Sequence, residues 1–593
     1  MLKKVVFTTV ILASLIGGIF ALSAPVQAED VDLSTIDTAL DEKAWVEFFE
    51  EHDVLDEKAW VEFFAEYDDV LSVEATEHLM ATPRAVVMIS TPAQFADFLN
   101  GNLGNDGDTV ILTANINMAN HSPLLGRTYF DGVIIGLFGN TISNLTIEGP
   151  GLIHESENLS FLNLTFTNLQ VNNSQDPDYL PTGGLVGTMP EASGYILFDS
   201  ITIDAASSVI GRTATGGFVG TVSSSAYWDW STGTWVGNTY EFHIINSTNQ
   251  ADVRSLEGHA GGFVADIWNA LSVTLQNVVN EGTIVGYFEA GGIAASLQTM
   301  WWLGDERLSL FQVDNHGDVT SNYSMAAGIA AMGAARLSLE FVTNTGTIVG
   351  REDASGIGQI SGGEVDMFDI LNTGDVSGDM SAAGGVSSWL HGDTLLMVSV
   401  INEGVITTSA DGWYGNSMVG GIAGYLEAST FTGIELENHG TIIAGRLREY
   451  GHEGAGGLIG YVGWAMNFSL TNALNTGSVT AYGEAGGLIG LLEGVHNGLV
   501  MSSLNTGAVS SHYENAGGIV GVIRWNTTVT IQDTINSGNV TAYNGAGGIA
   551  GAILGTDLVR MRRCTNSGAI SSQNNLSGPF YGDTDGYSTI SII

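Results

Sequence analysis

Short runs of alternating apolar and polar residues, each closed by glycine or asparagine, follow one another through most of this chain. The stretch from Asn475 to Leu504 is representative. It reads Ser478-Val-Thr-Ala-Tyr482, then Gly487-Leu-Ile-Gly-Leu-Leu492, then Leu499-Val-Met-Ser-Ser-Leu504. A period of two marks strands with one buried face. A helical repeat needs about ten or more continuous residues at helical period, and the glycines exclude that. Three short strands per unit predict one coil of a triangular solenoid. Each strand would pair with its equivalent about 4.8 Å above and below.

Two sequence marks fix the unit. Asn-x-Gly begins one at Asn280, Asn315, Asn344, Asn372, Asn402, Asn438, Asn475, Asn505, Asn536 and Asn566, in steps of 28 to 37 residues. A second mark, Ala-Gly-Gly-Ile/Leu-x-Gly, follows in each unit, as in Ala485-Gly-Gly-Leu-Ile-Gly490 and Ala546-Gly-Gly-Ile-Ala-Gly551. The interval from Asn to the glycine pair is 11 or 12 residues in seven of nine units. Related marks occur at Gly183, Gly216 and Gly261. This register predicts Asn-x-Gly corners with left-handed backbone angles. It also predicts a ladder of asparagines whose amides satisfy one another. About thirteen coils would stack in an all-β parallel β-helix over residues 85–593.

The ends are less regular. Thr91-Pro-Ala-Gln-Phe-Ala-Asp-Phe-Leu99 has a cap, an early proline and helical apolar spacing. It predicts a short helix covering the first coil, where an open sheet edge would invite aggregation. The expected divisions are an N-terminal cap and first coils at 85–180, repeats at 181–570 and a C-terminal cap at 571–593. Ahead of these lies a perfect tandem: Leu40-Asp-Glu-Lys-Ala-Trp-Val-Glu-Phe-Phe49 recurs at 55–64. Its spacing predicts short acidic helices in an arm at 29–84, read as a spacer or a docking element. Residues 1–28 read as a secretory signal: Lys3 and Lys4, an apolar run, then Val26-Gln27-Ala28. No later run is apolar enough to span a membrane as a helix.

Charge narrows the partners. The formal net charge is −47, and only four lysines occur, the last at Lys58. Such a surface repels nucleic acid and suits cations or sugars. The single cysteine, Cys564, allows neither an intramolecular disulfide nor a Cys-based metal site. With 79 glycines and 9 prolines, the composition fits tight repeated turns rather than collagen or a proline-rich linker.

Gly183-Gly-Leu-Val-Gly187, Gly216-Gly-Phe-Val-Gly220 and Gly456-Gly-Leu-Ile-Gly460 resemble the GLUG motif of bacterial extracellular proteins. Asn140-Thr-Ile-Ser-Asn-Leu-Thr-Ile147 is similar to the strand preceding such repeats. The resemblance covers about residues 85–590. It implies a right-handed β-helix and an exported, often adhesive role, without defined chemistry. The family's Asp-Gly-x-Gly-His sequence is absent; Gly136-Leu-Phe-Gly139 stands there instead. No His-Glu-x-x-His motif occurs, so a peptidase reading has no support.

Two irregularities suggest sites. In successive units the interval from Asn to the glycine pair grows to 18, from Asn402 to Gly420 and from Asn438 to Gly456. The added loops, at 407–418 and 444–454, hold Asp411, Trp413 and Tyr414 in one and Arg446, Arg448, Glu449 and His452 in the other. Aromatics beside carboxylates and arginines suit sugar binding; the plain alternative is two loops packed through ion pairs. A further exposed group is expected around Trp228, Trp230 and Trp235. Tyr287, Tyr323, Tyr482, Tyr513 and Tyr543 each stand four residues before the pair and predict a stacked row. Glu289, Glu484 and Glu514 nearby leave calcium open as a ligand, with no other cofactor expected. Trp268, Trp301, Trp302, Trp389, Trp464 and Trp525 would form either a contact strip or corner packing.

These readings lead to a secreted or cell-surface, non-enzymatic adhesin or scaffold. It would contact extracellular glycans or surface proteins, and self-association, end to end or side by side, is a further expectation. The competing expectation is a polysaccharide lyase or glycoside hydrolase with its site on the two long loops.

Overall fold

Each coil closes because three physical demands are met at fixed sequence positions. In the computed structural model, which describes residues 85–229, 234–300, 306–409, 417–445 and 453–593, the strands stack into three parallel sheets of 34, 14 and 13 strands. The chain is a parallel β-helix. In the coil used above, Val479–Ala481 belongs to the 14-stranded sheet and Glu484–Gly486 to the 13-stranded one. Ile489–Glu493, Asn497–Met501 and Leu504–Asn505 all lie in the 34-stranded sheet. The glycine pair thus forms its own very short strand and sharp bend rather than opening the second strand. In four successive coils the segments of the long sheet fuse into single strands, Ala331–Asn344, Ile360–Asn372, Ser387–Asn402 and Ala423–Asn438.

The first demand is burial. Inward side chains form one continuous apolar column from Ile89 to Cys564. It includes stacked rings such as Phe161 on Phe198 and Phe431 on Phe468, with centroids 5.7 and 5.2 Å apart.

The second is satisfaction of a buried polar column. Asn249, Asn280, Asn315, Asn344, Asn372, Asn402, Asn438, Asn475, Asn505 and Asn536 are each 0% exposed. Each Nδ2 donates to the Oδ1 of the next asparagine at 2.7–3.0 Å, and the last link reaches Asn566. From Asn249 onward the amide also donates to the carbonyl two residues ahead, as from Asn402 to Gly404 at 2.9 Å. The ladder starts one coil earlier than Asn-x-Gly indicates. Asn249 has Ala251 in the glycine position, and Ile203 fills the same site one coil before.

The third demand is close approach, and it corrects the expected role of glycine. The Asn-x-Gly glycines are not left-handed. A side chain on Gly404 would overlap the carbonyl of Gly374 one coil away. Likewise a side chain on Gly487 would overlap both the Gly518 carbonyl and the Asn505 amide. The second glycine of the pair thus leaves room for the ladder asparagine that opens the next unit. The left-handed corner lies instead three residues before each ladder asparagine, where φ is 50–57° at Asn246, Asn277, Gln312, Phe341, Glu435, Arg563 and their equivalents. Asparagine and aspartate suit that region, but Phe341, Glu435 and Arg563 do not and are held there by the stack on either side.

The expected cap helix, α1, spans Pro92–Leu99. Thr91 Oγ1 accepts from the Gln94 N–H, and the Gln94 side chain accepts from the Thr91 N–H, a reciprocal capping box. Phe95, Phe98 and Leu99 close the column. Buried Arg127 donates to the carbonyls of Leu103, Gly104 and Tyr129 at 2.9–3.0 Å and lies over Phe98 and Phe130. At the other end, Thr589–Ile592 simply continues the long sheet by pairing with Leu558–Arg562. The proposed arm at 29–84 and the signal at 1–28 lie outside the described residues.

Two substitutions separate these demands. Asn402→Ala leaves the Gly404 carbonyl, Asn438 Oδ1 and an Asn372 N–H without partners, and is expected to cost about 3 kcal/mol or more. Hydrogen exchange should show the loss concentrated in the adjoining coils; a uniform change along the stack would contradict a nearest-neighbour ladder. Glu435→Asn, at a left-handed position, should raise the denaturation midpoint by an amount worth about 0.5 kcal/mol, and an unchanged or lower midpoint would count against strain there.

Candidate functional site

In-register pairing forces outward side chains of the long sheet into rows. One row runs Glu241, Ser272, Arg307, Arg336, Glu364, Thr394; the next runs His243, Thr274, Ser309, Ser338, Asp366. All but Thr394 line a groove of about 620 Å³. Its middle is cationic and its two ends carry carboxylates. Arg307 and Arg336 occupy adjacent coils, about 4.8 Å apart along the stack. Arg336 Nε lies 3.7 Å from Glu364 Oε2. Arg307 is exposed and makes no ion pair among the described residues. At the N-terminal end the buried His243 ring stacks on Tyr195, centroids 4.2 Å apart, with Nε2 3.6 Å from Glu241 Oε2. At the other end, burial and then the neighbouring Glu364 raise the Asp366 carboxyl above its usual range. Between them Ser272, Thr274, Ser309 and Ser338 offer hydroxyls that both donate and accept. The arrangement suits a hydroxyl-rich ligand bearing an anionic group opposite the two guanidiniums.

A second polar cluster sits at the neighbouring corner. His259 Nδ1 lies 2.9 Å from Oδ1 of the buried Asp266, and this hydrogen bond, opposed by desolvation, raises the imidazole above its ordinary value. Burial raises the adjacent Glu289 carboxyl as well. Phe288 meets His259 edge-on, and Tyr287 and Tyr323 stack beside it at 5.9 Å and 8°.

Most of the side chains singled out from sequence cannot be placed against these clusters. Asp411, Trp413, Tyr414, Arg446, Arg448, Glu449, His452 and Trp230 lie outside the described residues, as do Trp301 and Trp302. The strands flanking the two long loops pair in register, Ile406–Thr408 with Ile442–Ala444 and Ser417–Gly420 with Glu453–Gly456. The loops therefore leave and re-enter adjacent coils at the same corner, as their intervals predict. Trp228 and Trp235 are cross-strand partners in an antiparallel hairpin, Tyr227–Asp229 with Thr234–Val236.

The tyrosine row forms as two separate stacks. Arg351 extends the Tyr287–Tyr323 pair at 5.6 Å, while Tyr482, Tyr513 and Tyr543 stack at 5.5 and 5.7 Å. The glutamates do not form a bare column: Glu289 sits beside His259, and Glu514 accepts from Asn544 at 3.0 Å. Among the described residues no three His, Cys, Asp or Glu side chains gather to hold a metal ion. Trp389 packs on Tyr425 at 4.4 Å, whereas Trp268, Trp464 and Trp525 are exposed.

The groove was legible in principle. Arg307, Arg336 and Glu364 each stand eight residues before a ladder asparagine, so aligning the units on Asn rather than on glycine puts them in one column. Their coils are of regular length, so loop length does not mark them.

No family model matches the chain, and neither a curated protein nor a solved structure resembles it significantly. No helix among the described residues is long and apolar enough to cross a membrane.

The His259 pair makes a pH prediction. Its folded pKa lies above the ordinary value of 6.5, so protonation favours the folded state. The contribution is complete below the ordinary value and fades as pH rises through the higher folded one. An NMR titration should place the His259 transition above 6.5, and Asp266→Asn should bring it down. A midpoint at or below the ordinary value would contradict the pairing.

Proposed function

We propose that this protein is an exported, non-enzymatic β-helical scaffold that holds extracellular glycan chains against its outer face. The observation that carries the reading is the groove around Arg307 and Arg336, hydroxyl-lined and bracketed by carboxylates. Its chemistry favours a sugar chain with occasional acidic residues over a polyanion. The chain as a whole is strongly negative, so a densely charged polymer is repelled at distance, while one carboxylate can settle between two local guanidiniums. The GLUG-like glycine marks and the N-terminal signal pattern support export and a surface role.

The shallow site lies on a rigid sheet, which favours binding without large rearrangement. An array of neutral and uronate-containing oligosaccharides is the direct test. Uronate-containing chains should bind. The double variant Arg307→Ala/Arg336→Ala should weaken them about tenfold or more and flatten the salt dependence. Silence across the array would overturn the reading, and release of unsaturated or newly reducing products would replace it with an enzymatic one.

A further inference from the structure

Several coils beyond the groove, the rim of the long sheet carries tryptophan where folding alone would not place it. Positions 464, 494, 525 and 555 directly follow residues paired in one register across four successive coils. All four are left-handed, with φ of 51°, 66°, 56° and 57°, and their occupants alternate Trp464, Gly494, Trp525, Gly555. Glycine is the ordinary answer to that backbone; a bulky aromatic there costs about 1–2 kcal/mol. Burial does not compensate, because Trp464 and Trp525 are 66% and 62% exposed.

The alternation has a steric logic. The six-membered ring of Trp464 lies across Gly494, with Cε3 and Cδ2 at 3.1 and 3.2 Å from where a Cβ would sit. The Trp525 ring covers Gly555 through its five-membered ring, Cδ1 at 2.8 Å and Nε1 at 3.3 Å. Each glycine is the bed on which the previous coil's indole rests. Trp525 is braced further by Arg524, whose guanidinium lies 5.0 Å from the ring. Arg524 is itself tied to Glu493 at 2.6 and 2.7 Å, both side chains being largely buried. The rings are therefore preorganised platforms rather than loose side chains.

We infer that Trp464 and Trp525 form a two-platform site for an extended, β-linked pyranose chain. The platforms are two coils apart, roughly 9.6 Å at the strand spacing. Two residues of an extended β-linked pyranose chain cover a comparable length, and every second ring presents the same face. Alternate sugars would thus stack the same face on the two indoles, through their axial C–H groups. Beside the platforms, Asn467 and Asn497 bring carboxamides from adjacent coils within 3.3 Å of each other, where they can meet sugar hydroxyls. The site shares the glycan-binding reading above but none of the groove's residues.

Isothermal titration of the full chain with β-1,4-linked hexasaccharides of glucose, N-acetylglucosamine, xylose and mannose tests the site. At least one should bind, and its disaccharide, which cannot reach both platforms, should bind much more weakly. Trp464→Asn and Trp525→Asn should each weaken the hexasaccharide about tenfold or more. Asparagine tolerates the left-handed backbone, so both variants should fold with unchanged or higher Tm. Arg307→Ala/Arg336→Ala should leave this binding intact. The inference falls if no hexasaccharide binds or if the Trp variants bind as well as the parent. Loss in the arginine variant alone would overturn it while leaving the groove in place.

Discussion

The fold depends on a column of carboxamides buried at the heart of the stack. A buried amide without partners is expensive, so an isolated asparagine in this position would destabilise its coil. Stacked coil upon coil, each side chain supplies the acceptor that its neighbour lacks and donates to a carbonyl of its own corner. The cost of burial is thereby removed only if every coil keeps the same register. A one-residue slip would break two links at once and turn a strand's apolar face outward. The ladder thus converts a repetitive sequence, which could stack in many registers, into one that stacks in a single way.

Glycine serves the same constraint from the opposite side. At Gly487 and Gly404 it is required because a neighbouring carbonyl or ladder amide occupies the space a side chain would need. The glycine pair was legible for that reason: its second residue lies against a ladder asparagine in coil after coil. The start of the ladder was not, because Asn249 is followed by Ala251, and one missing methyl-sized gap hides the motif. Nor was the left-handed corner. Asparagine or aspartate holds several of these corners, but Phe341, Glu435 and Arg563 hold others, so composition alone does not mark a conformation imposed by the coils above and below.

The outer face follows other rules. Its side chains point away from the column and are free to vary without harm to the fold, so composition and periodicity say little about them. Arg307 and Arg336 stand in ordinary coils and become a site only when register sets them side by side. The tryptophans were visible as residues, but their meaning came from the backbone: Trp464 and Trp525 sit at angles that suit Gly494 and Gly555, the glycines that alternate with them. Loop length, the feature most conspicuous in the sequence, located a shared corner and nothing of its chemistry.

The most direct test of the ladder is the exchange of its side-chain amide protons, read by NMR on protein labelled with ¹⁵N at asparagine. The ten fully buried carboxamides, from Asn249 to Asn536, should exchange as slowly as the backbone amides of their own strands. Carboxamide protons at those positions that exchange at the rate of exposed asparagines would contradict a continuous buried ladder.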